Sequence, residues 1–431
     1  MIPVRAGPPL GPPPQPQARG IGRAIGAGVI TGAADDDPSA IGTYASAGAR
    51  FGLAFLWIAP VLLPMMYVVV YLSAKIGRVY GKGLFAAIRD RYSAWLLWPL
   101  MIGAFIGNII EAAANLGGMG AALNLLLPLP VATIVVGVAV IVVTLQIFGS
   151  YELIRRIFRW LALILFAYVA AALLARPDPA DVLRATFVPH ARWDGDFLMM
   201  IVACIGTSLS AYVYTWQSNQ EVEEQIAEGK RRWWQRRGAS LRELRRTKRD
   251  VIVGMIFSNL ILYFIILSTG ATLHRAGVTE IETAAQAASA LEPLAGQFAK
   301  WLFALGVVGV GFLAVPVMTT GAAYDIVQGL GERGSLHLQV TEARLFYGVI
   351  VLVTLIAVAL NFLGFNPMKA LVWSGIVQGF SVPPLLLIMM LMTNDRSLMW
   401  DRPNGWFTNL LGWLTTAATF AATGCLVATW L

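Results

Sequence analysis

Apolar residues run along this chain in long blocks, without the strict alternation of a half-buried strand or the single stripe of a surface helix. Each block reaches the ~20 residues that cross a hydrocarbon core, and blocks recur from residue 24 to residue 431 with short polar interruptions. Eleven spans are predicted, near residues 24–49, 53–77, 94–123, 130–149, 157–175, 197–217, 250–273, 299–327, 344–362, 367–393 and 405–430. The fold class is therefore an all-α integral membrane protein, with no room for a separate soluble domain.

Composition agrees. Of 431 residues, 57% are hydrophobic and 13% charged, against about 25% charged in an average soluble domain. The net charge of +8 does not point to nucleic acid, because the basic residues fill the gaps between apolar runs and are not interleaved with stacking aromatics. They orient the chain instead. With the N-terminus inside, the inner side collects 25 Lys and Arg and the outer side 7. An odd number of spans then puts the C-terminus outside, and compact loops without a transit peptide suit a prokaryotic inner membrane. Residues 1–20 are rich in Pro and Gly, lack an apolar signal region, and are expected to be a disordered cytoplasmic tail. The stretch 218–249 carries Glu221, Glu223, Glu224 and Glu228 before a basic run, and reads as a cytoplasmic loop lying on anionic lipid or, alternatively, as a partner-binding tail. Trp233 and Trp234 fit an interfacial anchor there. Cys204 and Cys425 sit in apolar runs without metal or disulfide spacing, and read as core residues.

Charges inside spans cost about 2.5–3.5 kcal/mol each at the helix centre, so they mark the candidate chemistry. In the first span Asp35, Asp36 and Asp37 precede Pro38, which removes a backbone donor and disfavours helix at Asp37. A break is predicted, and a break at membrane depth is tolerated only beside a cavity or water, where it frees carbonyl oxygens. Carboxylates with freed carbonyls describe a hard-cation site. The competing reading is a short helix ending at the interface. Many transporters are inverted repeats with a broken helix in each half, and Gly206 to Tyr212 in the sixth span, rich in small and hydroxyl residues, is the expected second break or else a helix-packing face. Asn108, Glu111 and Asn115 fall on one face of the third span. Glu111 there is a metal contact at one remove, a proton carrier or a structural acceptor. Asn366, Trp373 and Gln378 are weaker polar positions in or near the tenth span, and Gln378 is equally a structural or a pathway residue.

The stretch Asp37 to Thr43, closing with Ala47-Gly48-Ala49, resembles without gaps the first-helix Asp-Pro-Gly-Asn motif region of the Nramp family of divalent metal transporters. Gly206 to Gln217, Asn361 to Leu371 and the Pro383-Pro384 pair extend the resemblance over nearly the whole chain. It implies the leucine-transporter (LeuT) fold: two inverted five-helix repeats, about 24–175 and about 197–393, an extra helix at about 405–430, and a site between broken helices one and six. The family's metal ligands are the motif Asp and Asn, a sixth-helix Ala carbonyl and a Met thioether. Here those positions hold Asp37, Ala40, Thr207 and Ser210. Losing a thioether moves selectivity towards hard ions, as in the Nramp-related magnesium-transporter branch, which this chain resembles. The family's two sixth-helix histidines align with Tyr212 and Gln217, and its third-helix acidic pair with Asn115 and Gly118. None of these titrates near neutral pH, which places proton coupling in doubt unless Asp35, Asp36 or Glu111 substitutes.

The expectation is an importer of Mg²⁺ or Mn²⁺ working by alternating access, with Asp37 as direct ligand, Asp36 and Asp35 as supporting charge, and Thr207 and Ser210 as hydroxyl or carbonyl contributors. Glu111, Asn108, Asn115, Ser39, Ala40, Tyr212, Gln217 and Gln378 line the pathway. The transported ion and membrane lipid are the expected partners, with no resident cofactor. Competing readings are a LeuT-fold carrier for a small organic solute such as an amino acid, and a metal sensor or scaffold. An enzyme is not expected: no nucleophile–base pair appears, and His190, His274 and His337 fall in loops.

Overall fold

The computed structural model describes residues 27–148, 163–190, 192–332, 334–336 and 338–430. The Pro-rich tail, Arg155, Arg156 and Arg159, Arg333, His337 and the start of the fifth span lie outside the described residues. The membrane-scale helices are α1 (Ala27–Asp35), α2 (Pro38–Phe51), α3 (Ile58–Lys75), α4 (Ala94–Asn124), α5 (Val131–Phe148), α6 (Phe166–Leu174), α7 (Gly195–Ser208), α8 (Ala211–Ala227), α9 (Leu241–Thr269), α10 (Ala299–Leu330), α11 (Arg344–Asn361), α12 (Pro367–Asn394) and α13 (Trp406–Ala428). Among the described residues, nine continuous or near-continuous helical runs are long and apolar enough to cross a membrane. The first predicted span is absent from those nine because its break leaves two short halves, α1 and α2.

Both predicted breaks are present. At Asp37 the backbone is extended (φ −68°, ψ 173°), and Pro38 opens α2 at a position where its missing N–H costs nothing. In the sixth span the chain leaves the helix at Leu209 and Ser210 without a proline. The small-residue reading of this span holds as well. A Cβ on Gly206 would lie 1.8 Å from the Gly375 carbonyl oxygen and 2.4 Å from the Gly379 nitrogen, so glycines set the contact of α7 with α12. Lipid tails are as apolar as leucine, so close backbone approach of this kind, rather than a hydrophobic driving force, holds such helices together.

At the centre α4 and α10 pack along their length, Met119 on Gly311 at one end and Met101 on Gly329 at the other. Around them α1 packs on α9 through Gly28 and Gly32, α3 packs on α9, and α8 packs on α3. The contacts pair up as two equivalent halves: α4 with α5 as α10 with α11, and the first broken helix with α9 as the second with α3. The most apolar 18-residue window within Gly195–Ala227 is 89% buried, against 28% for that within Trp406–Ala428, so the broken helix is central and α13 faces lipid.

Three expectations are corrected. The stretch 218–249 is not one loop: α8 runs on to Ala227, α9 begins at Leu241, and only the thirteen residues between are irregular or in one short turn. The cause is pairing, because Arg78 binds Glu221 at 2.6 Å, contacts Glu224, and reaches Glu228 at 4.0 Å, so acidic residues that read as solvated are packed against the end of α3. Trp233 is not a free interfacial anchor either. Its Nε1 donates to the Tyr80 carbonyl at 2.9 Å, and Lys82 and Arg237 lie over its ring; Trp234 is exposed. His274 closes a helical turn that ends α9 rather than sitting in a loop, and its Nδ1 bonds the Ala49 carbonyl at 2.8 Å.

Candidate metal site at the crossing of the broken helices

Asp37 sits at the first break as the N-cap of α2, its Oδ1 accepting from the Ala40 amide at 2.6 Å. Ala40 therefore contributes a backbone donor that orients the carboxylate. Ser39 donates its hydroxyl to Oδ1 at 2.8 Å and reaches Oδ2 at 3.0 Å. From α4, Asn115 donates to Asp37 Oδ2 at 2.7 Å and accepts from the Ser39 amide at 2.8 Å. The Ser39 hydroxyl also lies 3.2 Å from Thr207 Oγ1 and 3.2 Å from Glu111 Oε1. Three helices, α2, α4 and α7, thus converge on a single polar knot.

Glu111 is its second anionic centre. Oε1 accepts from the Ser210 hydroxyl at 2.8 Å, and Oε2 from Gln378 Nε2 at 2.7 Å. Gln378 in turn reaches Asn108 Oδ1 at 3.4 Å and accepts from the Ala211 amide at 3.3 Å at the start of α8. The Ser210 hydroxyl also lies 2.9 Å from the carbonyl of Gly206 and 3.1 Å from that of Thr207, which the second break frees from the helix ladder. Asp37, Ser39, Glu111, Asn115, Thr207, Ser210 and Gln378 are each at most 1% exposed. The C-terminal ends of α1 and α7 add partial negative charge to the same place, while Asp37 takes the positive N-terminal end of α2.

Asp35 and Asp36 stand apart. Both turn to one hydroxyl on α9, that of Ser258, at 2.8 and 3.0 Å, and their remaining oxygens are buried without a partner among the described residues. Among those residues no three His, Cys, Asp or Glu side chains come together as a metal cluster. Their place next to Asp37 in sequence does not carry over to the site, because the extended residue at the break turns the chain. Asn366 caps α12 by accepting from Met368 and Lys369, and Trp373 is exposed on the outer surface, so neither lies at the site.

Towards the end carrying the basic residues, the path is closed. The Tyr212 hydroxyl donates to the Ala34 carbonyl at 2.9 Å, Thr31 donates to Gln217 at 2.6 Å, and Gln217 reaches Glu221 at 3.1 Å, which Arg78 holds. Tyr212 and Gln217 are therefore ties between α1 and α8. At the other end Leu371 packs onto Gly42 and Gly118, sealing the site with an apolar side chain.

Two residues escaped the sequence reading. Met318 of α10 places its sulfur 3.1 Å from Asn115 Nδ2, and nothing in an apolar run says which way a methionine faces. Asp325, also on α10, is fully buried, with neither oxygen partnered among the described residues. A lone acid inside an apolar span was a readable signal, by the same rule that singled out Asp37.

The model of the family described as "Natural resistance-associated macrophage protein-like" (Nramp) matches residues 28–429. A divalent metal cation transporter, MntH, of Deinococcus radiodurans is 28% identical over 418 residues, covering 95% of this chain and 91% of that protein. A second MntH, from Caldanaerobacter subterraneus subsp. tengcongensis, is 26% identical over 411 residues, covering 94% and 92%. Among solved structures, the Eremococcus coleocola manganese transporter superposes with a TM-score of 0.71 at 16% identity, covering 96% of this chain and 88% of that one. The nucleobase-cation-symport-1 transporter Mhp1 gives 0.57 at 12%, covering 94% and 93%. These two likenesses speak for the fold alone, and it is the leucine-transporter type. Family match, length coverage and the two broken helices agree: the chain belongs to the Nramp family of divalent metal transporters, and is a membrane transporter rather than an enzyme.

Proposed function

We propose that this protein imports a hard divalent ion, Mg²⁺ or Mn²⁺, by alternating access, with the ion bound at Asp37. The observation that carries this reading is the Asp37 carboxylate, buried at the break between α1 and α2 and linked through the Ser39 hydroxyl to Glu111 and Thr207, with Ser210 on Glu111. Carboxylate, hydroxyl, carbonyl and amide oxygens dominate, a donor set that suits Mg²⁺ and Mn²⁺. The groups lie within hydrogen-bond distance of one another, which suits a monatomic ion better than an amino acid. Asp37 is the direct ligand; Thr207 and Ser210 offer hydroxyls or carbonyls, and Glu111 balances charge from one layer out. Asp35 and Asp36 add charge from the Ser258 side.

The basic face is cytoplasmic in this reading, with the N-terminus inside, in a prokaryotic inner membrane, and the chain divides into repeats at about 24–175 and about 197–393 with α13 as the extra helix. Tyr212, Gln217 and Asn115 do not exchange protons near neutral pH, so import runs down the ion gradient unless Asp35, Asp36 or Glu111 carries protons in their place. The interior-negative potential adds about 2.3 kcal/mol per charge per 100 mV, and the ion carries two charges. The test is uptake of Mg²⁺, Mn²⁺ and Cd²⁺ into liposomes by wild type and Asp37→Ala, with internal pH followed in parallel. Entry of Mg²⁺ and Mn²⁺ that the substitution abolishes, without acidification, is expected. Uptake that survives Asp37→Ala removes the site, and acidification that tracks uptake removes the uncoupled mode.

A further inference from the structure

We infer that Met318 supplies a soft sulfur donor to the ion site from α10, so that within the hard-ion class the site prefers Mn²⁺ to Mg²⁺. The inference rests on the Asp37 reading above. No sulfur is available at the position of Ser210, and the Ser210 hydroxyl itself is directed at Glu111.

The geometry lies around one nitrogen. Asn115 Nδ2 donates to Asp37 Oδ2 at 2.7 Å and to Met318 Sδ at 3.1 Å. That amide NH₂ is the positive end of a dipole placed between an anionic oxygen and a polarisable sulfur. A cation bound at Asp37 Oδ2 cannot share the space with amide hydrogens. It displaces them and inherits both acceptors that faced them. Oxygen and sulfur, lying 2.7 and 3.1 Å from the same atom, are at most 5.8 Å apart. A metal between carboxylate oxygen at about 2.1 Å and sulfur at about 2.3 Å would hold them within about 4.4 Å. The unbranched thioether side chain closes the difference by rotation.

The sulfur is also held in place. Met318 is fully buried, and the turn before it is fixed by Pro316, whose carbonyl accepts from Gln146 of α5 at 3.3 Å, while Gln146 binds Thr319 at 2.8 Å. A thioether contributes little to Mg²⁺, which keeps its waters, and more to later, softer ions. The consequence is a preference for Mn²⁺ over Mg²⁺ imposed by one side chain.

The experiment pairs transport with spectroscopy on full-length protein in lipid nanodiscs. Cd²⁺ X-ray absorption on wild type, with and without selenomethionine, is expected to show one sulfur shell that becomes a selenium shell. Met318→Leu, which conserves volume, should remove that shell while Cd²⁺ stays bound through oxygen. In liposomes the same substitution should lower the Mn²⁺-to-Mg²⁺ uptake ratio about tenfold, the effect of one modest contact. An oxygen-only shell in wild type, a sulfur shell that persists in Met318→Leu, or an unchanged ratio overturns the assignment. Asp37→Ala separates the two readings: if Cd²⁺ binds unchanged without that carboxylate, the Asp37 site itself has failed; if it no longer binds there, the Met318 result stands on its own.

Discussion

Glu111 and Gln378 show how much depends on donor and acceptor identity inside a membrane. Glu111 accepts from Ser210 and Gln378 and donates none, and Gln378 presents its NH₂ to Glu111 and Asn108 and its carbonyl to the Ala211 amide. Glu111→Gln places an NH₂ against a donor, leaving a buried group unsatisfied at a cost of about 1–3 kcal/mol. Thermal unfolding in detergent should show that loss, and the exchange Glu111→Gln with Gln378→Glu should recover at least half of it, because it restores one donor facing one acceptor. Asp325 predicts the opposite sign. Among the described residues neither oxygen of Asp325 has a partner, and a buried carboxyl without one adds no stability, so Asp325→Asn should leave the melting temperature unchanged or raise it. A fall of several degrees would mean that this carboxyl has a partner during folding.

Among elements, α7 of the second broken helix meets α12 through a glycine contact. Gly206→Ala drives a Cβ into the backbone of α12 with no flexible atom to yield, so α7 must move off and the site at its end moves with it. Little folded protein should survive in a fluorescence size-exclusion assay, whereas Gly103→Ala, with open space around its Cβ, should behave as wild type. At the membrane surface, Asp395 caps the turn after α12 and pairs with Arg91 at 2.8 Å. The Ser397 hydrogen bonds and Arg91 hold its carboxyl below the usual carboxylate range. Its contribution is therefore present above that range and lost as pH falls through the lowered value, so Asp395→Asn should cost stability at pH 7 and progressively less as pH falls below the usual carboxylate range.

Across the whole molecule, closure of the basic face is distributed over three helices. Arg78 on the last turn after α3 binds Glu221 on α8, Glu221 meets Gln217, and Gln217 receives Thr31 of α1. Arg78 and Glu221 are 5% and 2% exposed, and removing one partner of a buried pair costs about 3–5 kcal/mol. That cost falls on the closed arrangement, because opening admits water to Glu221. Arg78→Gln should therefore speed thiol labelling of a cysteine placed at Thr31, in a background without Cys204 and Cys425. Unchanged labelling would mean that Arg78 braces the scaffold rather than the closure.

The sequence by itself determined the class, the spans and both breaks, since these depend on local quantities: the length of an apolar run, a proline after three aspartates, a cluster of small residues. It also singled out Asp37, Glu111, Asn115 and Gln378, because a polar group in an apolar run is costly wherever it ends up. Direction and partnership across helices were not local. Asp35 and Asp36, adjacent to Asp37, turn to Ser258 on α9, and the acidic run at 221–228 folds back on Arg78. Met318 reaches Asn115 from 203 residues away. Only the tertiary structure decided these, because a helix offers its neighbours a face fixed by packing, and the glycine contacts that set the packing are visible only when both helices are in place.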